Sequence, residues 1–412
     1  MHALGYSPCS RHAVSAIVIA GTNAISDADS RPARIDYNDS TPSMLPDEFR
    51  DHSVKVGDGM GIEREEARRA AVRPKGEQLA VSTRGDWTEY VHAGHAAVVD
   101  SDGRLIAWAG DPGWTTLLRA MAMPVQAVHV LLAGLRESDA YDDRTVAALA
   151  GLLSDEDERA AVAEQLSSRT GVPEEAIYPQ ARQERKHAHP CAAIHVGILA
   201  ICKQYNLPLA GYTKPDHPVQ REMLRRMAEF AGIGEGAVGR VRDGCGLPGY
   251  AMPLWRLALV YARMAAPPED WADASARRAA ERVAGAAAAA GIAAASGHSP
   301  PLTLPELLRE QGIFAASGAP GTLALALPRH RLGLAVKLCG DSDTAMPAIV
   351  AGMLDDIAAM FGEAKPQSAQ PVAALAQRIR ERFPEERLGD AGEAIGRHEP
   401  AARLIFAGGI KL

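Results

Sequence analysis

Cys191 and His195 stand four residues apart in an apolar stretch with helical character. On a helix that spacing stacks two side chains on one face, one turn apart. A thiol and an imidazole so placed admit two chemistries. They can share one metal ion, since both are good ligands for Zn²⁺. Alternatively, His195 can act as base to a Cys191 nucleophile, although such pairs more often come from different elements. The blander reading is a buried thiol, which behaves as a small hydrophobe, beside a satisfied core histidine. His187 and His189 lie just upstream. A second polar group, Arg84, Glu89 and His92, falls at the start of an expected strand. It orients a substrate or merely satisfies buried backbone groups. Asp243-Gly244-Cys245-Gly246 reads as a tight turn in which glycine supplies unusual backbone angles.

These residues need elements to position them. Residues 96–100 and 104–109 flank Asp102-Gly103, a strong hairpin signal because glycine accepts positive φ without steric cost. Residues 115–135 have helical character interrupted by Pro124. Residues 144–168 read as one or two helices, with Ser154-Asp155-Glu156 as an internal N-cap. Further helices are predicted over 195–205, 219–231, 252–264, 273–295, 349–360 and 372–383. Met223, Met227 and Phe230 form a stripe of the kind that faces a core. Residues 323–327 and 332–338 read as antiparallel strands around Pro328–His330. Strands alternating with helix clusters point to an α/β or α+β fold.

Composition bounds the function. The chain has 412 residues, a hydrophobic fraction of 47% and a formal net charge of −7. Its basic residues are scattered, which argues against nucleic acid or an anionic membrane as the main partner. No apolar run approaches the ~20 residues that span a bilayer. Five cysteines at irregular spacing are no disulfide framework and read as free thiols of a reducing cytoplasm. Residues 1–76, rich in Asp, Arg, Ser and Pro, are expected to be a poorly ordered N-terminal extension. The apolar run 13–20 is too short, and too interrupted by Ser15, for a signal peptide. Residues 77–412 are expected to form the functional domain.

Five segments in order resemble the asparaginase II-like family, the rhizobial type of asparaginase. They are Thr83-Arg84-Gly85 with Glu89 to His95; Arg119 to Ala127; His189-Pro190-Cys191 with His195 to Lys203; Asp216 to Gln220 with Asp243 to Pro248; and Leu332 to Lys337. The resemblance implies a fold similar to serine β-lactamases and penicillin-binding proteins, an antiparallel sheet flanked by helices. It also implies a small-molecule substrate and a homodimer, and it carries Arg84, Glu89, His92 and Arg119 over as substrate-binding positions.

The departures concern the reacting groups. The family's second segment reads Arg-Ser-x-x-Lys-Pro-x-Gln. On a helix that serine and lysine share a face, and the lysine can deprotonate the hydroxyl for attack on an amide. Here Ala120 and Met123 stand in those places, while Arg119, Pro124 and Gln126 persist. A second family serine aligns most plausibly with Leu152, just before Ser154. Lys337 is the surviving cation of catalytic type, and the resemblance would project it into the cleft. Relatives hold zinc with two cysteines and a lysine. Cys191 and Cys245 match the cysteines and Ile194 replaces the lysine, so Cys191, Cys245 and His195 are the expected zinc ligands here. Lys337, His195 and Cys191 are the expected catalytic residues. The resulting expectation is a repurposed enzyme for a small amino-acid-like or amide-bearing substrate, as in a tailoring step of specialised metabolism. Two rivals are an amidohydrolase with another nucleophile, Ser154 or metal-bound water, and a non-catalytic binding protein.

Overall fold

The Asp-Gly and Pro-Arg-His punctuation marks set the centre of the molecule. In the computed structural model, which describes residues 76–135, 141–178, 186–269, 271, 273–296, 302–362 and 365–408, both become turns between paired strands. Gly103 takes φ 94° and donates its N–H to Asp100. The strands are β1 (Glu77–Arg84), β2 (Trp87–Asp100), β3 (Leu105–Ala109), β4 (Thr115–Leu117), β5 (Gly239–Arg242), β6 (Pro248–Pro253), β7 (Phe314–Ser317), β8 (Thr322–Leu327), β9 (Leu332–Leu338), β10 (Glu386–Leu388), β11 (Ala394–Pro400) and β12 (Ile405–Phe406). The helices are α1 (Met123–Val130), α2 (Asp143–Leu149), α3 (Glu156–Thr170), α4 (Ala192–Gln204), α5 (Pro218–Ala231), α6 (Leu254–Ala265), α7 (Ala274–Ser296), α8 (Leu304–Glu310), α9 (Met346–Phe361) and α10 (Pro366–Arg382).

Nine strands form one antiparallel sheet in the order β10-β11-β1-β2-β9-β8-β7, with β3 on β2 and β12 on β3. Strand β2 is the spine. Its first half pairs with β1, and its second half pairs with β3 on one edge and β9 on the other. Strands β4, β6 and β5 make a separate small sheet.

Alternation along the strands sends side chains to two cores. Ala97, Val99 and Ala335 join one cluster with α1 to α7. Ala96, Val98 and Val336 join another with α8, α9 and α10. The result is the expected antiparallel sheet flanked by helices. Helix α6 presses closely on β9 at Gly333, where a Cβ would stand 2.0 Å from the Ala258 carbonyl oxygen.

Two element boundaries differ from expectation for local reasons. Residues 115–117 are strand, because they pair with β6, and a 3₁₀ turn at Arg119–Ala122 leads into α1. Pro124 then falls in the first turn of α1, where its missing N–H costs nothing. Met252 lies in β6 instead of opening a helix, since Pro253, the last residue of the strand, is the N-cap of α6. The 144–168 segment is two helices, and the Asp155 carboxylate caps the second by accepting the Glu158 N–H at 2.7 Å. The expected N-terminal extension lies outside the described residues, apart from Gly76. Among the described residues no helix is long and apolar enough to cross a membrane.

Candidate active site

Arg119 adopts φ 51°, a left-handed conformation rare for a residue with a Cβ. Such strain persists only where the surroundings impose it, and it clusters at functional sites. The Arg119 side chain is held by an ion pair, its Nε donating to Asp243 Oδ1 at 3.1 Å. The same carboxylate oxygen accepts the Gly244 N–H at 2.6 Å. Asp243 also anchors the turn between β5 and β6: its N–H reaches the Leu247 carbonyl, and its carbonyl accepts the Gly246 N–H. Gly246 sits at φ 88°, and a Cβ there would meet the Tyr178 ring at 2.8 Å. Only glycine fits that place.

Between this turn, the N-terminus of α4 and the start of α1 lies a cavity of about 250 Å³. Ala120, Met123, Cys191, Cys245, His189 and Arg119 are among its walls. Ala120 and Met123, the two positions set against serine and lysine in the resemblance, therefore do face the hollow together. No serine, threonine or lysine lines it among the described residues. Met123 also packs on Gly151, where a Cβ would stand 2.8 Å from its sulfur. That places the segment before Leu152 directly against α1. Leu152 and Leu153 are buried. The Ser154 hydroxyl is bonded to the Glu306 carboxylate, outside the cavity walls.

Cys191 caps α4 from outside its first turn, and its N–H is donated to His189 Nδ1 at 3.0 Å. Its thiol shares a hydrogen bond with Cys245. The sharing splits the pair. The Cys191 S–H, with His195 behind it, holds the Cys245 thiol far below its ordinary value. That bond and burial push Cys191 up. The bond draws the two thiols in opposite directions, Cys245 toward the ionised form and Cys191 toward the protonated one. The spacing argument paired Cys191 with His195, yet in the structure Cys245 is the hub, touching both.

His195 is fully buried, and its Nδ1 lies 2.6 Å from the Tyr212 hydroxyl. Tyr212 also accepts the Tyr178 N–H at 2.8 Å. The other ring atom, Nε2, is buried with no hydrogen-bond partner. Tyr212 carried no signal in the sequence, while His189 and Asp243 were legible only as neighbours of the two cysteines. The run Asp243-Gly244-Cys245-Gly246 was the available signal for Asp243.

The zinc expectation meets a donor set of the right kinds, two sulfurs and a partnerless imidazole nitrogen. Among the described residues, however, no group of three or more His, Cys, Asp or Glu side chains is arranged to hold a metal ion.

The other expected site residues lie elsewhere. Lys337 is half-buried on β9, beside His95 across the β2 pairing and opposite Thr322 of β8. It shares the cavity-side face of the sheet with Ala335 but does not line the cavity. Burial holds its amine below the ordinary lysine value, against the pull of Cys339, Asp343 and Asp341. His95 accepts the Asp111 N–H at 3.0 Å and stacks on Trp114 at 4.8 Å. Arg84 and Glu89 pair at 2.9 Å at the β1–β2 end, where Arg387 also reaches Glu89 at 2.6 Å. His92 and His398 each lie 2.7 Å from the buried Ser82 hydroxyl. Ser82 and His398 share their face with Pro400, which packs on Gly352 of α9, so this cluster is on the sheet face opposite the cavity.

A second hollow of about 570 Å³ lies behind the Asp243–Leu247 turn, walled by Glu175, Tyr178, Tyr212, Lys214, Arg240 and Arg242 among others. The turn separates it from the first: Cys245 faces the cavity and Gly246 faces the groove.

The class that the fold defines is an antiparallel sheet between two helical layers, with a strained arginine and two neighbouring cysteines at the start of a helix. The family model described as L-asparaginase II matches residues 80–392, and the chain belongs to that family. No curated protein matches it. Among solved structures it is similar to a β-lactamase from Mycobacterium bovis, at 14% identity and a TM-score of 0.34 over 70% of this chain and 94% of that one. It is also similar to a protein titled Mglu in its native form, at 15% identity and a TM-score of 0.29 over 77% and 71% of the two chains.

Proposed function

We propose that the chain is an enzyme acting on a small amino-acid-like substrate with an amide or acyl group, and that the Cys191–Cys245 pair has taken over from the family's serine and lysine. One observation carries this reading. The cavity wall that carries Ala120 and Met123 where relatives carry serine and lysine faces another wall with two neighbouring cysteines, Cys191 and Cys245. A cavity of about 250 Å³ suits an amino acid better than a drug-sized ligand. The half-exposed Arg119 guanidinium suits a substrate carboxylate, which would share it with Asp243. The Cys245 sulfur would attack the carbonyl carbon, and the proton held between the sulfurs would leave with the departing nitrogen. Water would then cleave the thioester, its oxygen going to the acid and one of its protons back to the Cys191 sulfur, so that the Cys245 thiolate and the shared proton are both restored. His195, fixed by Tyr212, would hold the Cys245 sulfur in place from below.

The test is ammonia release from a panel of L-amino acid amides, asparagine included, by the protein and its Cys245→Ser variant. Turnover that disappears in the variant supports the reading. Tight binding with no turnover on any member would make the chain a binding protein instead.

A second reading is favoured by the partnerless His195 Nε2. In it, Cys191, Cys245 and His195 close on a zinc ion, whose chemistry would be to polarise a carbonyl or acidify a water. Metal analysis of the purified protein decides it, with near-stoichiometric zinc that is lost in Cys191→Ser as the expected result.

A further inference from the structure

The contact between Cys191 and Cys245 joins two elements that are otherwise separate. One cysteine precedes the first turn of α4, and the other sits in the turn between β5 and β6. They are 54 positions apart in sequence (245 − 191). Their thiols are already hydrogen-bonded, and both face a cavity open to small molecules. The three-donor cage that would occupy such a pair with metal is not formed among the described residues. We propose that Cys191 and Cys245 form a reversible disulfide, which fastens the β5–β6 turn to the start of α4 and shuts the cavity.

A disulfide needs the sulfurs at about 2.05 Å and the Cβ atoms at about 3.5–4.5 Å. Starting from a thiol–thiol hydrogen bond, closure requires side-chain rotation and a small shift of the turn. Cys245 lies between Gly244 and Gly246, and a Cβ on Gly244 would meet nothing nearer than an Arg119 nitrogen at 4.0 Å. The turn therefore has room to move on the cavity side.

The oxidant class is a low-molecular-weight disulfide. One cysteine sulfur attacks it, forming a mixed disulfide and expelling one small thiolate. The second cysteine sulfur then attacks the protein sulfur of that bond, forming Cys191–Cys245 and expelling the other small thiolate. Two cysteine thiols lose two electrons, and one small disulfide becomes two thiols. Reduction by excess small dithiol runs the same steps backwards. The linkage is read by mass and does not depend on any substrate or on the catalytic reading above.

The experiment treats the full chain, and a Cys339→Ser variant lacking the exposed competing thiol, with oxidised glutathione. Acid quenching, alkylation and non-reducing peptide mapping follow. The expected result is a linked Cys191–Cys245 peptide, at least a tenfold fall in alkylation of both residues, and full reversal by dithiothreitol. In Cys245→Ser, Cys191 should stop at a glutathione adduct. Full alkylation of Cys191 and Cys245 in a sample whose Cys339 has gained glutathione would overturn the proposal. So would one zinc per chain that shields both thiols until a chelator removes it.

Discussion

Two groups of polar, chemistry-bearing residues lie on opposite faces of the same sheet, and they differ in what their atoms are bonded to. On the far face, Ser82 stands between His92 and His398, and Glu89 between Arg84 and Arg387. The groups satisfy one another, and none of them lines the cavity. On the near face, Arg119 is bent into a strained conformation, His195 keeps one nitrogen without a partner, and two cysteine thiols stand beside an open hollow. Residue type alone does not separate these groups. What separates them is unspent bonding capacity next to space for a ligand.

Substitutions can break that comparison. The largest effect should come from Cys245→Ser, with turnover on the responsive amide falling by about 10³-fold or more, while His92→Ala changes it only severalfold; steady-state ammonia assays measure both. Equal losses would erase the distinction between the faces. Next comes Arg119→Gly. It removes the guanidinium and relieves the positive φ, so KM should rise by about 10–100-fold without loss of thermal stability. A fall in Tm alone, with KM unchanged, would make Arg119 a structural residue.

On the far face, Ser82→Ala should cost about 1–3 kcal/mol in denaturant unfolding, because both histidines lose a partner at a buried hydroxyl, and it should leave turnover intact.

The smallest effect per step is a pH slope. Burial holds His129 on α1 down to about 3, against an ordinary 6.5. The unfolded chain then binds this proton as pH falls through 6.5, while the folded chain does not until about 3. Stability is therefore full above 6.5 and is lost progressively between 6.5 and 3, by at most about 1.4 kcal/mol per pH unit from this group. His129→Leu should flatten the slope in urea titrations at stepped pH. Burial lowers His92 and His398 in the same direction, so their substitution should flatten the part just below 6.5.

Much of the architecture was legible in the chain because it rests on local signals. Asp102-Gly103 and Pro328–His330 mark turns whose flanking strands pair as expected. The Met223, Met227, Phe230 stripe faces the core. What the sequence hid depends on distant pairing. Thr115–Leu117 looks helical until β6 arrives from over 130 residues away to claim it as strand. The cluster was half legible for the same reason. A four-residue spacing suggested Cys191 with His195, but which of two thiols the imidazole meets depends on where the β5–β6 turn lands. Likewise, the Arg84, Glu89 and His92 group is a true polar cluster, and only the sheet's two-sidedness shows it turned away from the hollow.

The Asp243–Leu247 turn serves as a party wall between two chambers, with Cys245 on one side and Gly246 on the other. A wall five residues long can be reshaped by a single insertion or deletion while the large sheet stays in place, at the cost of repacking Cys245 and Leu247. Lengthening or retracting it would merge a room for one amino acid with a larger, cation-rimmed neighbour. Descendants of this scaffold could thus trade small guests for long, anionic ones by editing one loop.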